Sequence, residues 1–184
     1  DGFVIKQVEG LEGWSGIGMM AVANTRVVRR SAALMAQNQK PYGNNFTFGE
    51  HGLFSTKRMA RLASYASILA FLIIGTPLKR LVRPFLLKPG EGPSQETQDK
   101  GWFRATFVAY SDDNERKICS MYGSGDPGYK STAKMVCESA LALAKSNDLP
   151  GGSEYGGVLT SAVGLGDVLI QRLKDAEIEF KVIN

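Results

Sequence analysis

Apolar and polar positions recur with two different periods along this chain, and the changes of period mark out its elements. Residues 3–8 alternate well enough to predict a strand. A glycine-rich connection around Trp14 follows, then a helical pattern to about Gln39. Asn24 or Thr25 is its expected cap, and Val27, Val28, Leu34 and Met35 form its apolar side. Lys40-Pro41-Tyr42-Gly43 ends that pattern, and Phe46-Thr47-Phe48 predicts a short strand. Ser55 or Thr56 opens the longest apolar stretch, whose residues 62–78 (LASYASILAFLIIGTPL) hold no charge. Pro84 and Pro89 break up the amphipathic LVRPFLLKPG after it, and residues 89–100 predict a polar surface loop.

Beyond the loop the pattern changes. Residues 102–110 and 116–122 predict an antiparallel hairpin about Ser111-Asp112-Asp113-Asn114. A helix over about 127–145 follows, with Ala133, Val136, Cys137, Ala140, Leu141 and Ala144 as its apolar face. Asn147, Pro150 and Gly151 stop it. Residues 157–159 predict a short strand, Thr160 or Ser161 caps a helix to about Lys174, and residues 177–183 predict a strand with one wet face. The fold class expected is α+β: an antiparallel or mixed sheet packed by helices, with one long apolar helix and no Rossmann domain in this chain. The organisation expected is one domain over 1–184. Within it lie an apolar, basic-flanked helical segment over 56–88, the loop over 89–100, and a hairpin, helix, strand, helix, strand series over 101–184.

Composition agrees with a folded domain, since 43% of the 184 residues are hydrophobic and 22% charged. Asp1 in place of an initiator Met is expected of a processed chain or of a piece of a longer one, and the first ten residues show no signal peptide. Net charge is +4, with a sequence pI near 9.1. Its distribution matters more than its size. Residues 51–90 contain no Asp or Glu, but they hold Lys57, Arg58, Arg61, Lys79, Arg80, Arg83 and Lys88. The two cysteines, Cys119 and Cys137, lie in no metal-ligand or redox spacing and are expected as buried reduced thiols. The single His51, expected in a polar loop, builds neither a metal site nor a catalytic triad alone.

Three groups of residues compete for a chemical reading. Gly123, Gly125 and Gly128 fit the spacing of a dinucleotide fingerprint. Against that reading, the strand before them belongs to a predicted antiparallel hairpin, whereas the fingerprint needs a parallel βαβ unit. The position for the ribose-binding acid falls on Asp148, in a loop, and Asp126 would face a pyrophosphate with like charge. The alternative is a helix start, with Asp126 as N-cap and Pro127 at the first helical position. Tyr129 and Thr132 stand beside it as turn or substrate candidates. The second group is the apolar segment with its basic ends. A buried core helix, a tilted span, a subunit interface and an in-plane or hairpin insertion into lipid all remain open. The last fits best, because Arg58, Arg61, Lys79, Arg80 and Arg83 have no local acid and suit anionic headgroups, with Leu69 and Leu72 on the apolar side. Thr76-Pro77 is a place for a kink. A nucleic-acid role is disfavoured, since Tyr65, Phe71 and Phe85 sit among aliphatics and form no stacking platform. The third group, the carboxylates of 91–99 and 112–115, is expected to be solvated. No metal site and no catalytic residue stands out.

The string GDPGYKSTAKMVCESALALA, residues 125–144, resembles a signature of the saccharopine dehydrogenase-like oxidoreductases, which include bacterial trans-acting enoyl reductases. The matching positions are Gly125, Asp126, Pro127, Gly128, Tyr129, Thr132, Ala133, Met135, Glu138 and Ala140. GGVLT at 156–160, Val27-Val28-Arg29-Arg30-Ser31 and Lys88-Pro89-Gly90-Glu91-Gly92-Pro93 resemble further family segments. Ser161 departs from the proline usual there. The resemblance implies that this chain is the C-terminal, substrate-facing and association part of such a protein. An N-terminal Rossmann domain would be its partner and would bind NAD(P), so that no cofactor is held by this chain. It implies a lipid-like, acyl or polyketide-derived substrate, and an intracellular place at a membrane or lipid droplet, the mitochondrial membrane included. It supplies no catalytic residue. The alternative function is a non-catalytic membrane-surface, scaffold or dimerisation module.

Overall fold

The computed structural model describes residues 5–8, 10–85, 88, 90–152 and 155–183. Two compact units, Asp1–Pro89 and Gly90–Asn184, divide a chain whose sequence reads as one domain over 1–184. The class is α+β, with two small antiparallel sheets and helices.

In the first unit β1 (Trp14–Ile17) pairs antiparallel with β2 (His51–Phe54), Trp14 opposite Phe54 and Ile17 opposite His51. Of the strand expected over 3–8, residues 3 and 4 lie outside the described residues, and Gln7 bridges to Trp14. The strand expected at Phe46-Thr47-Phe48 is instead irregular, and the pairing falls at His51–Phe54. There Gly52 faces Gly16 across the ladder, and His51 sits on a strand rather than in a loop. Helix α1 (Ala21–Gln37) starts three residues before the expected cap, on Met20.

Helix α2 (Lys57–Ile74) begins where Thr56 Oγ1 accepts from Met59 N at 3.2 Å, an N-cap that satisfies one orphan donor. It ends at Gly75-Thr76-Pro77, before the end of the charge-free stretch. Helix α3 (Lys79–Val82) and a 3-10 turn (Arg83–Phe85) follow. The single helical segment expected over 56–88 is therefore broken, because proline removes a donor and helices end near it. Residues 86 and 87 of that segment lie outside the described residues. Among the described residues no helix is long and apolar enough to cross a membrane. Half of α2 docks on the hairpin through small side chains. Ser64 Oγ accepts from Ile17 N at 3.0 Å, and a Cβ on Gly16 would lie 2.7 Å from the Phe54 ring.

In the second unit α4 (Gln95–Lys100) occupies half of the expected loop, capped by Ser94. Strand β3 (Trp102–Tyr110) pairs with β4 (Arg116–Ser124), and β4 with β5 (Glu179–Ile183), all antiparallel in the order β3-β4-β5. The nine pairs from Trp102↔Ser124 to Tyr110↔Arg116 run without a bulge. Helix α5 (Lys130–Lys145) packs on α7 (Gly166–Asp175), which follows the short α6 (Ser161–Gly164). The helix expected as one piece over 160–174 breaks at Leu165-Gly166, where Gly166 takes φ +48. The strand expected at 157–159 does not form, and Gly157 has φ +130, outside the strand region.

The buried face of α5 is not the expected one. Ser131 and Ala142 are buried and Met135 and Glu138 half-buried; of the expected face only Leu141 is half-buried, whereas Ala133, Val136, Cys137, Ala140 and Ala144 are exposed. Polar links decide this orientation. Arg172 on α7 pairs with Glu138 at 2.8 Å, and Lys134 Nζ donates to Ala176 O at 2.7 Å. Both bonds need the Glu138 side of α5 turned inward. The cysteines are free, with Cys119 half-buried and Cys137 exposed rather than buried.

The units also differ in charge. Residues 1–89 carry twelve Lys and Arg against four Asp and Glu, a formal +8; residues 90–184 carry ten against fourteen, a formal −4.

Candidate functional site

The turn between β4 and α5 gathers the chemically suggestive residues. Gly125 takes φ +92, a conformation that glycine adopts without a Cβ penalty. Its N–H donates to Gly101 O at 2.7 Å, and Asp126 N donates to Gln98 O at 2.9 Å. The last carbonyls of α4, which have no partner inside their own helix, are thereby satisfied. The approach is close: a Cβ on Gly101 would fall 2.5 Å from Asp126 Cα.

The Asp126 carboxylate is fully occupied. It accepts from Gly128 N and Tyr129 N at 3.0 Å and from Lys130 N at 3.1 Å. It caps α5 from four residues before the first helical position, so the helix begins at Lys130 and not at Pro127. Ser131 Oγ, buried, is within bonding distance of Ser124 O and Gly125 O, and Thr132 Oγ1 donates to Pro127 O. The Tyr129 ring lies against Gly92 and is about half exposed. Lys130 Nζ pairs with Asp99 Oδ1 at 2.6 Å. The hydrogen bonds from Lys130 and Gln95 hold the Asp99 carboxyl below its ordinary range.

This arrangement does not fit a dinucleotide. A pyrophosphate needs free backbone N–H groups at a helix start, and here the chain's own carboxylate takes three of them. The strand leading in is the middle one of an antiparallel sheet rather than a parallel βαβ unit. What the turn does is lock β4, α4 and α5 together.

Sequence reasoning missed the Glu138–Arg172 pair. Both side chains are at least 70% buried, and Arg172 Nε is buried without a hydrogen-bond partner. Glu138 stood in the recognised string, but no local pattern points it at a residue 34 positions away.

The basic and apolar candidates are placed differently. Arg58, Arg61, Lys79, Arg80 and Arg83 are all exposed and, among the described residues, none forms an ion pair. Leu69 and Leu72 are 58% and 59% exposed on α2. Among the described residues no cluster of His, Cys, Asp and Glu could hold a metal ion.

The chain is similar over about nine-tenths of its length to curated trans-acting enoyl reductases. That of Mycobacterium bovis is 35% identical over 178 residues, covering 89% of this chain and 40% of its own length. That of Mycobacterium ulcerans is 33% identical over 168 residues, covering 87% and 39%. A Mycobacterium tuberculosis protein that bears the same enzyme name provisionally is 33% identical over 176 residues, covering 91% and 41%. The chain thus spans about two-fifths of the length of these relatives. They support an enoyl reductase-like kinship and lend none to the saccharopine dehydrogenase side of the expected resemblance. No protein-family model matches the chain, and no solved structure matches it significantly.

Proposed function

We propose that this chain is the substrate-side part of an oxidoreductase of the trans-acting enoyl reductase type. Its reaction is the saturation of a carbon–carbon double bond conjugated with an acyl carbonyl, on a lipid-like substrate. The observation that carries this reading is the 33–35% identity sustained over about nine-tenths of the chain. The NAD(P) that such a reduction requires is assigned to protein that this chain does not match. That assignment is supported by the glycine turn, whose helix-start donors are spent on Asp126. The wider saccharopine dehydrogenase-like kinship rests on sequence resemblance alone, in the string at 125–144 and the shorter segments at 27–31, 88–93 and 156–160. The working site of the protein is an intracellular membrane or lipid-droplet surface, a reading supported by the exposed apolar and basic residues of α2 and α3.

Titration of the chain with two soluble probes tests the division of labour. The uncharged thioester trans-2-dodecenoyl-N-acetylcysteamine is expected to bind saturably, and NADPH is not. Tight NADPH binding would overturn the assignment of the nucleotide elsewhere. Absence of thioester binding by the folded chain would overturn the substrate-side role.

A further inference from the structure

The outer side of α2 is an apolar stripe that the described residues leave exposed. Ala60 and Ser64 are buried against β1 and β2, and the Ile17 N–Ser64 Oγ bond fixes which side of the helix faces inward. The opposite side carries Leu62, Tyr65, Leu69 and Leu72, spaced three, four and three residues apart, so they line one face. They are 73%, 63%, 58% and 59% exposed. Arg58 and Arg61 stand on the same side, one turn before them, both exposed. Past Ser67 even the row that should continue the buried face turns outward: Phe71 and Ile74 are 54% and 61% exposed. A helix that is apolar all round belongs in a core or in lipid, and this half of α2 is in neither a protein core nor a described contact.

Charge chooses among occupants. The exposed Lys79, Arg80 and Arg83 follow the helix, no Asp or Glu occurs from 51 to 90, and the unit as a whole is +8. A second copy of the chain would bring like charge against like, which costs affinity. An anionic lipid surface supplies both things the face lacks, an apolar phase for the leucines and negative headgroups for the cations at its two ends. The helix does not span. Its 18 residues run roughly 27 Å and begin with Lys57, Arg58 and Arg61.

We propose that unit 1 docks on anionic lipid by laying α2 in the plane of the surface. Leu62, Tyr65, Leu69 and Leu72 are immersed, while Arg58, Arg61, Lys79, Arg80 and Arg83 meet headgroups. The inference rests on the surface part of the function proposed above and gives it a face and a lipid class. Unit 2, at −4, is not drawn to the same lipid.

Flotation with phosphatidylcholine vesicles, with and without phosphatidylglycerol, is the test. The chain is expected to float with the anionic vesicles, to float poorly with phosphatidylcholine alone, and to release as salt rises. Leu69→Asp/Leu72→Asp is expected to weaken partitioning about tenfold or more, since each immersed leucine contributes a decade or so. Arg58→Glu/Arg61→Glu, which leaves the leucines intact, is expected to weaken the preference for anionic lipid. All four positions are exposed, and circular dichroism confirms that each variant is folded. A folded parent that ignores anionic vesicles overturns the proposal, as does a Leu69→Asp/Leu72→Asp variant that floats like the parent. A dimer split by that variant, without flotation, assigns the face to protein and equally overturns it. The thioester titration contains no vesicles, so it reads the enzymatic assignment independently of this result.

Discussion

Both compact units of this chain bury small residues, but among the described residues only one of them also buries large aliphatic side chains. Among the described residues, the fully buried positions of unit 1 are Gly13, Ser15, Gly16, Ser31, Ala60 and Ser64. Those of unit 2 include Ile118, Val163, Leu165, Leu173 and Ile178. Unit 2 is thus organised around ordinary aliphatic burial, helped by the Glu138–Arg172 pair. Unit 1 is held by close backbone approach, with Trp14, Ile17 and Phe54 half-buried and the large apolar residues on the outer side of α2 exposed. The consequence is visible in area. The chain exposes 13897 Å², whereas two separate compact domains of the same total mass would expose roughly 10,000 Å². Both units contribute exposed apolar side chains to that area, and the docking of unit 1 on anionic lipid proposed above would cover those of α2.

The sharpest way to break the comparison is to remove equal side chains from the two units. Leu173→Ala in unit 2 creates a cavity at a site 6% exposed, and about 2–4 kcal/mol of stability is expected to be lost. Leu69→Ala in unit 1 removes as many atoms from a site 58% exposed, and a change within about 0.5 kcal/mol is expected. Urea unfolding of both variants gives the ratio. A large loss at Leu69 would mean that α2 is packed within the chain, and the contrast between the units would fall.

The second test adds atoms to unit 1. On Gly16 a Cβ would sit 2.7 Å from the Phe54 ring and 3.0 Å from Ser64 Oγ. Gly16→Ala is therefore expected to push α2 off the hairpin at a cost of about 1–3 kcal/mol. Thermal unfolding measures it. A neutral result would show that unit 1 does not depend on the close contact.

The same contrast explains which features were legible in the sequence. The rule that large apolar residues mark the inside holds in unit 2 at Ile118 and Ile178, but in its sheet Trp102, Phe107, Tyr110, Val182 and Ile183 are exposed. Trp102–Tyr110 forms a strand with the bounds the alternation predicts, and the hairpin closes on the predicted turn. The Gly-Asp-Pro-Gly-Tyr string was legible as a helix start because its hydrogen bonds are local, but the helix opens at Lys130 rather than at Pro127. Its ties to Gln98 and Gly101 were not legible, since they come from a helix hidden in a polar stretch with only Ser94 as a signal. The rule fails on α5, whose apolar stripe points outward because two polar links to α7 fix its rotation. In unit 1 it fails more widely, since periodicity cannot distinguish a leucine meant for a core from one left outside. Phe46–Phe48 alternates as well as a strand should, yet the strand forms at His51–Phe54, where paired glycines let two backbones and a helix meet.

The smallest expected effect tests the lock between α4 and α5, the polar counterpart in unit 2 of the glycine contact in unit 1. Lys130 and Gln95 stabilise the charged form of Asp99, so its carboxyl titrates below the ordinary value in the folded chain. A carboxyl lowered on folding contributes stability that is complete above its unfolded value and fades as pH falls through the folded one. Asp99→Asn removes that contribution, so the variant is expected to unfold slightly earlier than the parent at neutral pH and to converge with it in acid. The residue is exposed and the pair with Lys130 is screened by water, so the difference at neutral pH is expected to be small and to shrink further in salt. Unfolding midpoints across an acid titration read both trends. A gap that stays constant down to the lowest pH would mean that Asp99 acts through the shape of the α4 helix and not through its charge. Unit 2 would then resemble unit 1 more than its buried leucines and isoleucines suggest, with its junction held by backbone fit alone.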